Sequence, residues 1–175
     1  NAMFGNAASV LVGDFLYSRA FQMMVSVNRM RVLEVLADAT NVIAEGEVLQ
    51  LLNTHNSAIS ELEYLQIIHR KTAKLFEAAA QLGAILSNST TNIEVGLASY
   101  GMHLGTAFQL IDDMLDYSGN NQDTGKNLGD DLAEGKPTLP LIYAMRVGTS
   151  EQASIIRKAI EDGGKDGFQP VLNVI

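Results

Sequence analysis

The chain has 175 residues and a formal net charge of −8, and 47% of its residues are hydrophobic. This size allows one domain with a proper core, and the negative charge excludes an extended nucleic-acid surface. Cysteine is absent, which excludes disulfides and thiolate zinc sites. No apolar run reaches the about 20 residues of a membrane span, so we expect a soluble, cytoplasmic protein.

Helical patterns fill the chain, and no alternating strand pattern interrupts them. Helices are predicted over about Ala7 to Val27 and Arg29 to Asn53. The buried stripe of the second helix is predicted from its periodicity to comprise Leu33, Ala37, Thr40, Ala44 and Leu51. Glu47 falls inside this stripe and Gln50 at its margin, so both are expected to point inward. They fit either an interhelical hydrogen bond or a functional site.

A third helix is predicted to start at a capping box formed by Ser60 and Glu63 and to end near Leu86. Its predicted buried stripe is Leu65, Ile68, Thr72, Leu75, Ala79, Leu82 and Leu86. Lys71 lies at the edge of this stripe, whereas Lys74 is expected to point away. A lysine at such a margin either extends along the surface into water or reaches an anion in a cavity.

A second predicted capping box, Thr91 with Glu94, begins a fourth helix that ends near Ser118. The most informative stretch of the chain, FQLIDDMLDYSG at 108–119, lies on this helix. Its polar residues are spaced i, i+3, i+4 and i+7, which places them on one helical face. They are Gln109, Asp112, Asp113 and Asp116.

Apolar residues cover the other faces of this stretch, which predicts a buried helix. Buried carboxylates need cations or strong donors, and Mg²⁺ prefers carboxylate oxygens. The alternative is a solvated acidic helix end. Ala98, Gly101 and Gly105 lie on the acidic face, so we expect a hollow there and favour a metal site.

The segment from Asn120 to Thr138 alternates glycine, lysine and acid. It contains Gly125-Lys126, Gly129-Asp130-Asp131 and Gly135-Lys136. Loops of this kind place ammonium and backbone N–H groups around phosphates. Further helices are predicted at about Leu139 to Val147 and from a capping box at Thr149 and Gln152 to about Asp162. Long helices with short connections predict one antiparallel helical array.

Five motifs, taken in order, resemble the trans-polyprenyl diphosphate synthases, especially the bacterial octaprenyl type. They are GDFL (13–16), EGEVLQ (45–50), KT (71–72), FQLIDDMLD (108–116) and GKNLGDDLAEGKPTLP (125–140). The similarity covers almost everything after residue 3. A lone DDxxD is a weak signal, but FQ, DDxxD and a GK…GDD…GKPT loop in this order are specific.

The resemblance implies an all-α fold of the isoprenoid synthase type around a central cavity, and a homodimer. It also implies Mg²⁺-dependent elongation of an allylic diphosphate, such as farnesyl diphosphate, by isopentenyl diphosphate. No dedicated histidine base is needed, because the leaving diphosphate can accept the proton lost after condensation. The product belongs to isoprenoid and quinone side-chain biosynthesis.

The resemblance also implies roles for individual residues. The implied catalytic residues are Lys71, Thr72, Gln109 and Asp112. The implied substrate-binding residues are Lys71, Thr72, Gln109, Lys126 and Lys136. The implied metal site is Asp112 and Asp116 with the adjacent Asp113. Thr72 and Gln50 are expected to stabilise developing positive charge.

One departure from the family pattern concerns the first of its two aspartate-rich motifs, since no DDxxD precedes Gly13. Residues 1–3 resemble a cloning scar, so 4–175 is predicted to be one helical domain. We expect a fragment, from the C-terminal portion of a longer synthase, with little activity alone. Three alternatives are a non-catalytic partner subunit of a heteromeric synthase, a terpene cyclase, and a bundle that binds Mg²⁺ or Ca²⁺ only for stability.

Overall fold

The computed structural model describes residues 5–118 and 128–175, in which every regular element is helical. The helices are α1 (Gly5–Ser26), α2 (Met30–Asn53), α3 (Glu61–Ile68), α4 (Lys74–Leu86), α5 (Thr91–Ser118), α6 (Asp130–Ala133), α7 (Leu139–Val147), α8 (Ser150–Asp162) and α9 (Phe168–Leu172). A π-helical turn, His69–Ala73, joins α3 to α4, and a 3₁₀ turn, Lys165–Gly167, precedes α9. The predicted all-α class is confirmed.

Two of the predicted capping boxes are present. The Ser60 hydroxyl accepts the Glu63 N–H at 3.2 Å, and the Glu63 carboxylate accepts the Ser60 N–H at 2.8 Å. Thr149 and Gln152 form the same reciprocal pair at the start of α8, at 3.3 and 2.8 Å. These pairs satisfy backbone donors that a helix start leaves without intrahelical partners.

The capping box predicted at Thr91 is wrong. Thr91 is already the first helical residue of α5, and the Glu94 N–H bonds the carbonyl of Thr90. The Glu94 carboxylate instead accepts hydrogen bonds from Arg31 on α2 at 3.1 Å and from Gln81 on α4 at 2.8 Å. Glu94 therefore links α5 to α2 and α4 through hydrogen bonds, and the sequence pattern of α5 alone does not predict these contacts.

The buried face of α2 also differs from the prediction. The buried residues of this helix are Val32, Val35, Ala39 and Gly46. Three residues of the predicted stripe, Ala37, Ala44 and Leu51, are exposed, and Glu47 is exposed rather than directed inward. Because α2 is apolar on several sides, periodicity alone does not select the face that packs.

The π-helical turn explains a second error, in the stripe predicted for the third helix. Ile68, before the turn, is buried as predicted, but Leu75 and Leu86, after it, are 53% and 48% exposed. Ala78 and Ala84 are buried in their place. A π turn accommodates one extra residue, so it rotates the following helix relative to a continuous α-helical pattern.

Close packing fills the small-residue face of α5 that was predicted to be hollow. A Cβ at Gly105 would lie 2.7 Å from the Cα of Ala73, and a Cβ at Gly101 would overlap the carbonyl of Phe76. The glycines therefore let α4 and the π turn approach the backbone of α5, and the hollow begins only beyond Gly105. On the opposite side Phe108 and Ile111 are 54% and 52% exposed, so the prediction of a fully buried helix is wrong.

Buried apolar side chains hold the C-terminal half of α5 in place. One cluster joins α5 to the helices that follow it and comprises Tyr117, Leu132, Leu141, Ala144, Ile156, Ala159, Ile160 and Val171. A second cluster joins α3 to α7 through Ile59, Tyr64, Ile67, Ile68 and Ile142. Burying one such aliphatic side chain stabilises the fold by roughly 1.5–3 kcal/mol. Within the described ranges, no helix is long and apolar enough to span a bilayer.

Candidate active site

A cavity of about 300 Å³ lies beside the acidic face of α5. Its polar lining residues are Gln50, Asn53, Tyr64, Lys71, Thr72, Gln109, Asp112, Asp113, Asp131, Lys136 and Thr138. Its apolar lining residues are Ile59, Ile67, Ile68 and Pro137. The cavity therefore combines an apolar wall with convergent cationic, anionic and amide groups, as ligand-binding sites commonly do.

The π turn directs two neighbouring side chains to different parts of this cavity. Thr72 donates a hydrogen bond to the Gln109 side chain on α5 at 2.9 Å. Lys71 donates to the side-chain amide oxygen of Gln50 on α2 and lies 3.3 Å from the Glu47 carboxylate. The turn packs so tightly on α2 that a Cβ at Gly46 would lie 2.5 Å from the Lys71 backbone nitrogen. The motif at 45–50 thus positions the lysine through both its backbone and its side chains.

Asp113 lies at the centre of a buried hydrogen-bond network. Tyr64 Oη donates to Asp113 Oδ2 at 2.6 Å, and Gln109 Nε2 donates to Asp113 Oδ1 at 2.7 Å. The Asp113 side chain is buried, with 4% of its surface exposed. Among the described residues no buried side-chain nitrogen or oxygen lacks a hydrogen-bond partner, so this network is complete.

Burial raises the pKa of Asp113 to about 6, against the two hydrogen bonds that lower it. The charges of Asp131 and Asp112 raise it further. Burial and the Asp113 charge also raise the pKa of Tyr64, so its hydroxyl stays protonated and remains a donor. Clustered acids in a cavity are a common property of functional sites.

Asp116 lies one turn further along α5 and does not line the cavity. Its carboxylate accepts the Asp131 N–H at 3.2 Å, and its carbonyl accepts the Gly129 N–H at 3.0 Å. Burial and the nearby charge of Asp131 raise the pKa of Asp116. Asp116 therefore fixes the start of α6 and adds to the negative charge at this end of the site.

Lys136 extends from the segment between α6 and α7 into the cavity lining. Its ammonium lies 3.0 Å from Asp131 and 2.6 Å from Glu134. Burial lowers the pKa of Lys136, but the hydrogen bonds to Glu134 and Asp131 outweigh this effect and raise it. The ammonium therefore stays charged at neutral pH.

Comparison with known proteins identifies the family to which this site belongs. The polyprenyl synthetase family model matches residues 1–171, nearly the whole chain. The chain belongs to the polyprenyl synthetase family. It is 60% identical over 176 aligned positions to octaprenyl diphosphate synthase of Escherichia coli (strain K12), covering 100% of this chain and 54% of that enzyme.

Solved structures of polyprenyl synthetases have the same fold. A polyprenyl synthase from Caulobacter crescentus CB15, complexed with calcium and isoprenyl diphosphate, matches 99% of this chain and 53% of its own, with a TM-score of 0.93 and 46% identity. A decaprenyl diphosphate synthase from Rhodobacter capsulatus matches 98% of this chain and 54% of its own, with a TM-score of 0.87 and 42% identity. The predicted resemblance and isoprenoid synthase fold are therefore confirmed.

The chain spans about half the length of the polyprenyl synthetases that it matches. The matched half is not the C-terminal portion, so that part of the sequence prediction is wrong. The prediction rested on the first aspartate-rich motif, which does not precede Gly13 in this sequence. The absence of that motif from this sequence does not locate the chain within a longer protein.

Most of the residues that the sequence indicated as site residues meet in this cavity of the polyprenyl synthetase chain. Those that line it are Lys71, Thr72, Gln109, Asp112, Asp113 and Lys136. Gln50 also lines it, whereas Asp116 lies beside it. Lys126 is outside the described residues. Their proposed roles remain predictions.

Sequence reasoning missed Tyr64 as a polar member of the site. Its hydroxyl donates a hydrogen bond to Asp113, whereas its ring packs in an apolar cluster. Asp131 was noted within the GDD sequence of the loop, but its closeness to Lys136 and Asp116 was not predicted. The signal for Tyr64 was its hydroxyl, since a buried tyrosine needs a hydrogen-bond partner.

In the two described stretches, no group of three or more His, Asp or Glu side chains is arranged to hold a metal ion. Asp112 and Asp131 nevertheless line the same cavity as Lys71 and Lys136. Mg²⁺ is commonly held by one or two carboxylates with waters and substrate phosphates, rather than by a complete protein cage. Asp112 and Asp131 therefore fit a divalent cation in charge and in ligand type.

Proposed function

We propose that the whole protein is an octaprenyl diphosphate synthase, which extends farnesyl diphosphate by successive condensations with isopentenyl diphosphate. The observation that carries this proposal is the meeting of Lys71, Thr72, Gln109 and Asp112 in one cavity with Lys136. The 60% identity to octaprenyl diphosphate synthases supports the chain length of the product. Its place is quinone side-chain biosynthesis in the cytoplasm.

The cations of the site act on the leaving group. The carbon–oxygen bond to the diphosphate breaks, and both electrons leave with the diphosphate, which gains negative charge. Lys71 and Lys136 face this charge, and Lys126 joins them by resemblance. Such groups bind the transition state more strongly than the substrate, because the charge they bind develops as the bond breaks.

Magnesium is the proposed cofactor, with Asp112 and Asp116 as the residues that hold it. It supplies positive charge to the diphosphate oxygens. The Caulobacter crescentus polyprenyl synthase structure is complexed with calcium and isoprenyl diphosphate, which supports dependence on a divalent cation. The raised pKa of Asp116, caused by burial and by Asp131, agrees with a site that has excess negative charge before a cation binds.

The allylic cation needs an apolar lining that excludes water and carries a few oxygen dipoles. Ile67 and Ile68 supply apolar lining, and Thr72 supplies a hydroxyl oxygen beside it. The allylic cation forms a carbon–carbon bond with the double bond of isopentenyl diphosphate. The proton lost from that product passes to the released diphosphate, so no histidine is assigned.

The proposed assembly is a homodimer, and the described part of the molecule is one domain of the synthase. We expect this chain alone to show little or no prenyl transfer, because the first aspartate-rich motif is absent from its sequence. The alternative is a non-catalytic subunit of a heteromeric synthase. Retention of both the acidic face and Lys71 favours the enzyme.

The decisive experiment is calorimetric titration of the chain with farnesyl diphosphate, with and without Mg²⁺. Binding is expected to require Mg²⁺ and to be lost in the double variant Asp112→Asn with Asp116→Asn. The matched control is Glu151→Gln with Asp162→Asn on α8, which removes two exposed charges away from the cavity and should leave binding unchanged.

Four outcomes would contradict the proposal. Binding that does not depend on Mg²⁺, or loss of binding in the control variant, would show that the acidic face has no specific role. Metal binding that is indifferent to diphosphate would favour a structural ion. A folded wild-type chain that does not bind farnesyl diphosphate would favour the partner-subunit function.

A further inference from the structure

The hydrogen-bond network around Asp113 extends to the cavity surface through two more side chains. Gln109 donates to Asp113 through Nε2 at 2.7 Å and accepts from the Thr72 hydroxyl through Oε1 at 2.9 Å. Tyr64 donates to the other oxygen of Asp113 at 2.6 Å. Thr72, Gln109 and Asp113 all line the cavity, but only 4% of the Asp113 surface is exposed.

The direction of each hydrogen bond follows from the chemistry of the groups. A carboxylate only accepts, so the amide nitrogen of Gln109 must face Asp113. The Gln109 carbonyl then faces Thr72 and can only accept. The single hydroxyl proton of Thr72 is therefore committed to Gln109, and its remaining lone pairs are left for the cavity.

We propose that Asp113 is a positioning residue rather than a metal ligand: it orients the Gln109 amide so that Thr72 presents hydroxyl lone pairs to the cavity. This inference rests on the proposed function, because an oxygen dipole aimed at the cavity stabilises an allylic cation. A dipole fixed before the reaction needs no reorganisation when the charge develops.

The surroundings of Asp113 oppose direct metal ligation. Both of its oxygens already accept short hydrogen bonds, and its surface is almost entirely covered. Mg²⁺ requires near-octahedral coordination and usually keeps several waters, which this buried position does not accommodate. Asp112, next in sequence, is more exposed and lines the same cavity, so the two adjacent carboxylates have different tasks.

The test compares Asp113→Asn with Asp112→Asn in the natural protein at its full length. An asparagine at position 113 can present its NH₂ group to Gln109 and reverse the amide. We expect Asp113→Asn to leave the Mg²⁺ concentration dependence and farnesyl diphosphate affinity within threefold of wild type. Its single-turnover rate should fall at least tenfold. Asp112→Asn should instead raise the Mg²⁺ requirement at least tenfold.

A double-mutant cycle separates positioning from general damage. Thr72→Val removes the hydroxyl and should slow single turnover as much as Asp113→Asn, whereas Thr72→Ser should retain most of the rate. If Asp113 acts through Thr72, the combined variant Asp113→Asn with Thr72→Val should be no slower than either alone. Tyr64→Phe tests the network in a second way, because it keeps the Asp113 carboxylate and removes one of its two donors. Its single-turnover rate should lie between those of wild type and Asp113→Asn.

The outcomes distinguish this inference from the function on which it rests. A Mg²⁺ requirement that rises equally in Asp113→Asn and Asp112→Asn, or rate losses that multiply in the double variant, would overturn the positioning role and leave prenyl transfer intact. A wild-type protein without Mg²⁺-dependent prenyl transfer would overturn the proposed function and this inference together.

Discussion

The cavity has two polar regions that differ in burial and in the groups that partner their charges. The inner wall, Tyr64, Thr72, Gln109 and Asp113, is a closed hydrogen-bond network around a carboxylate that is 4% exposed. The lysine rim, Glu47, Gln50, Lys71, Asp131, Glu134 and Lys136, holds ammonium groups beside carboxylates. Two of those carboxylates, Glu47 and Glu134, are 53% and 63% exposed.

The groups of the inner wall are therefore preorganised, whereas the lysines of the rim must exchange partners when a ligand binds. The wall has fixed directions of hydrogen bonding and little access to water, so its dipoles are set before a ligand arrives. The rim lysines already contact acids, so a diphosphate has to compete with these carboxylates. Exposed ion pairs contribute only ~0.2–1 kcal/mol, so replacing such a carboxylate by a diphosphate costs little free energy.

The largest effect should appear in the pH dependence of folding. Burial raises the pKa of Asp113 from 3.8 to about 6, so the folded state binds this proton more tightly than the unfolded state does. The stabilisation is fully present below pH ~4 and is lost as the pH rises through ~6. Wild type should lose about 3 kcal/mol relative to Asp113→Asn between pH 3 and 7.

Urea unfolding of the metal-free chain across this range measures the difference. Asp162→Asn, an exposed substitution on α8, is the control and should follow the wild-type curve. A constant difference between wild type and Asp113→Asn at all pH values would mean that the wall does not hold its carboxylate in a desolvated state.

A smaller effect is expected from removing a rim cation. Lys71→Ala should weaken Mg²⁺-dependent binding of farnesyl diphosphate about 100-fold, or ~2.7 kcal/mol, the scale of a hydrogen bond between charged groups. Lys74→Ala is the control, because Lys74 pairs with Asp38 and Glu77 and does not line the cavity. Calorimetry should find its affinity within threefold of wild type. Equal losses in both variants would indicate a nonspecific charge effect.

The next largest effect is expected from disturbing the backbone packing that supports both regions. A Cβ at Gly46 would meet backbone atoms of Arg70 and Lys71 within 3 Å, so Gly46→Ala should destabilise the chain by about 2 kcal/mol. Gly83→Ala on α4 is the matched control, since no atom lies within 4 Å of its new Cβ. It should stabilise the chain by up to ~1 kcal/mol. Thermal unfolding that gives both variants the same sign would contradict close packing at Gly46.

The smallest effect concerns a competing acid of the rim. Glu134→Gln removes one carboxylate from Lys136 at an exposed position, so stability should stay within ~0.5 kcal/mol. Affinity for farnesyl diphosphate should rise about threefold, because the ligand displaces one ion pair fewer. Glu61→Gln, which breaks the exposed pair with Arg146, should not change affinity. Weaker binding in Glu134→Gln would show that this acid assists the ligand.

The sequence predicted the features that depend on neighbouring residues. The acid spacing of α5 and the capping boxes at Ser60 and Thr149 are local patterns, and they appear in the structure. The grouping of Lys71, Thr72 and Gln109 came from ordered motifs, because periodicity alone does not bring separate helices together. The cavity is consistent with that grouping.

The incorrect predictions concern features that are determined by tertiary contacts between helices. The π turn depends on the fit of its backbone against Gly46, and α2 offers several apolar faces from which packing selects one. Glu94 satisfies a capping pattern but binds Arg31 and Gln81, which no local pattern contains. Tyr64 is buried in an apolar cluster as a core residue would be, and only its hydroxyl indicates a polar role.

The π turn at His69–Ala73 also makes this part of the chain sensitive to changes in length. Each residue advances an α-helix by about 100°, so deleting one residue here would rotate α4 relative to α3 by that angle. Ala78 would leave its place against α2, and Lys74 would turn away from Asp38 on the same helix. Insertions and deletions at 69–73 therefore change the contacts of a whole helix, whereas substitutions on the exposed side of the turn alter only single contacts.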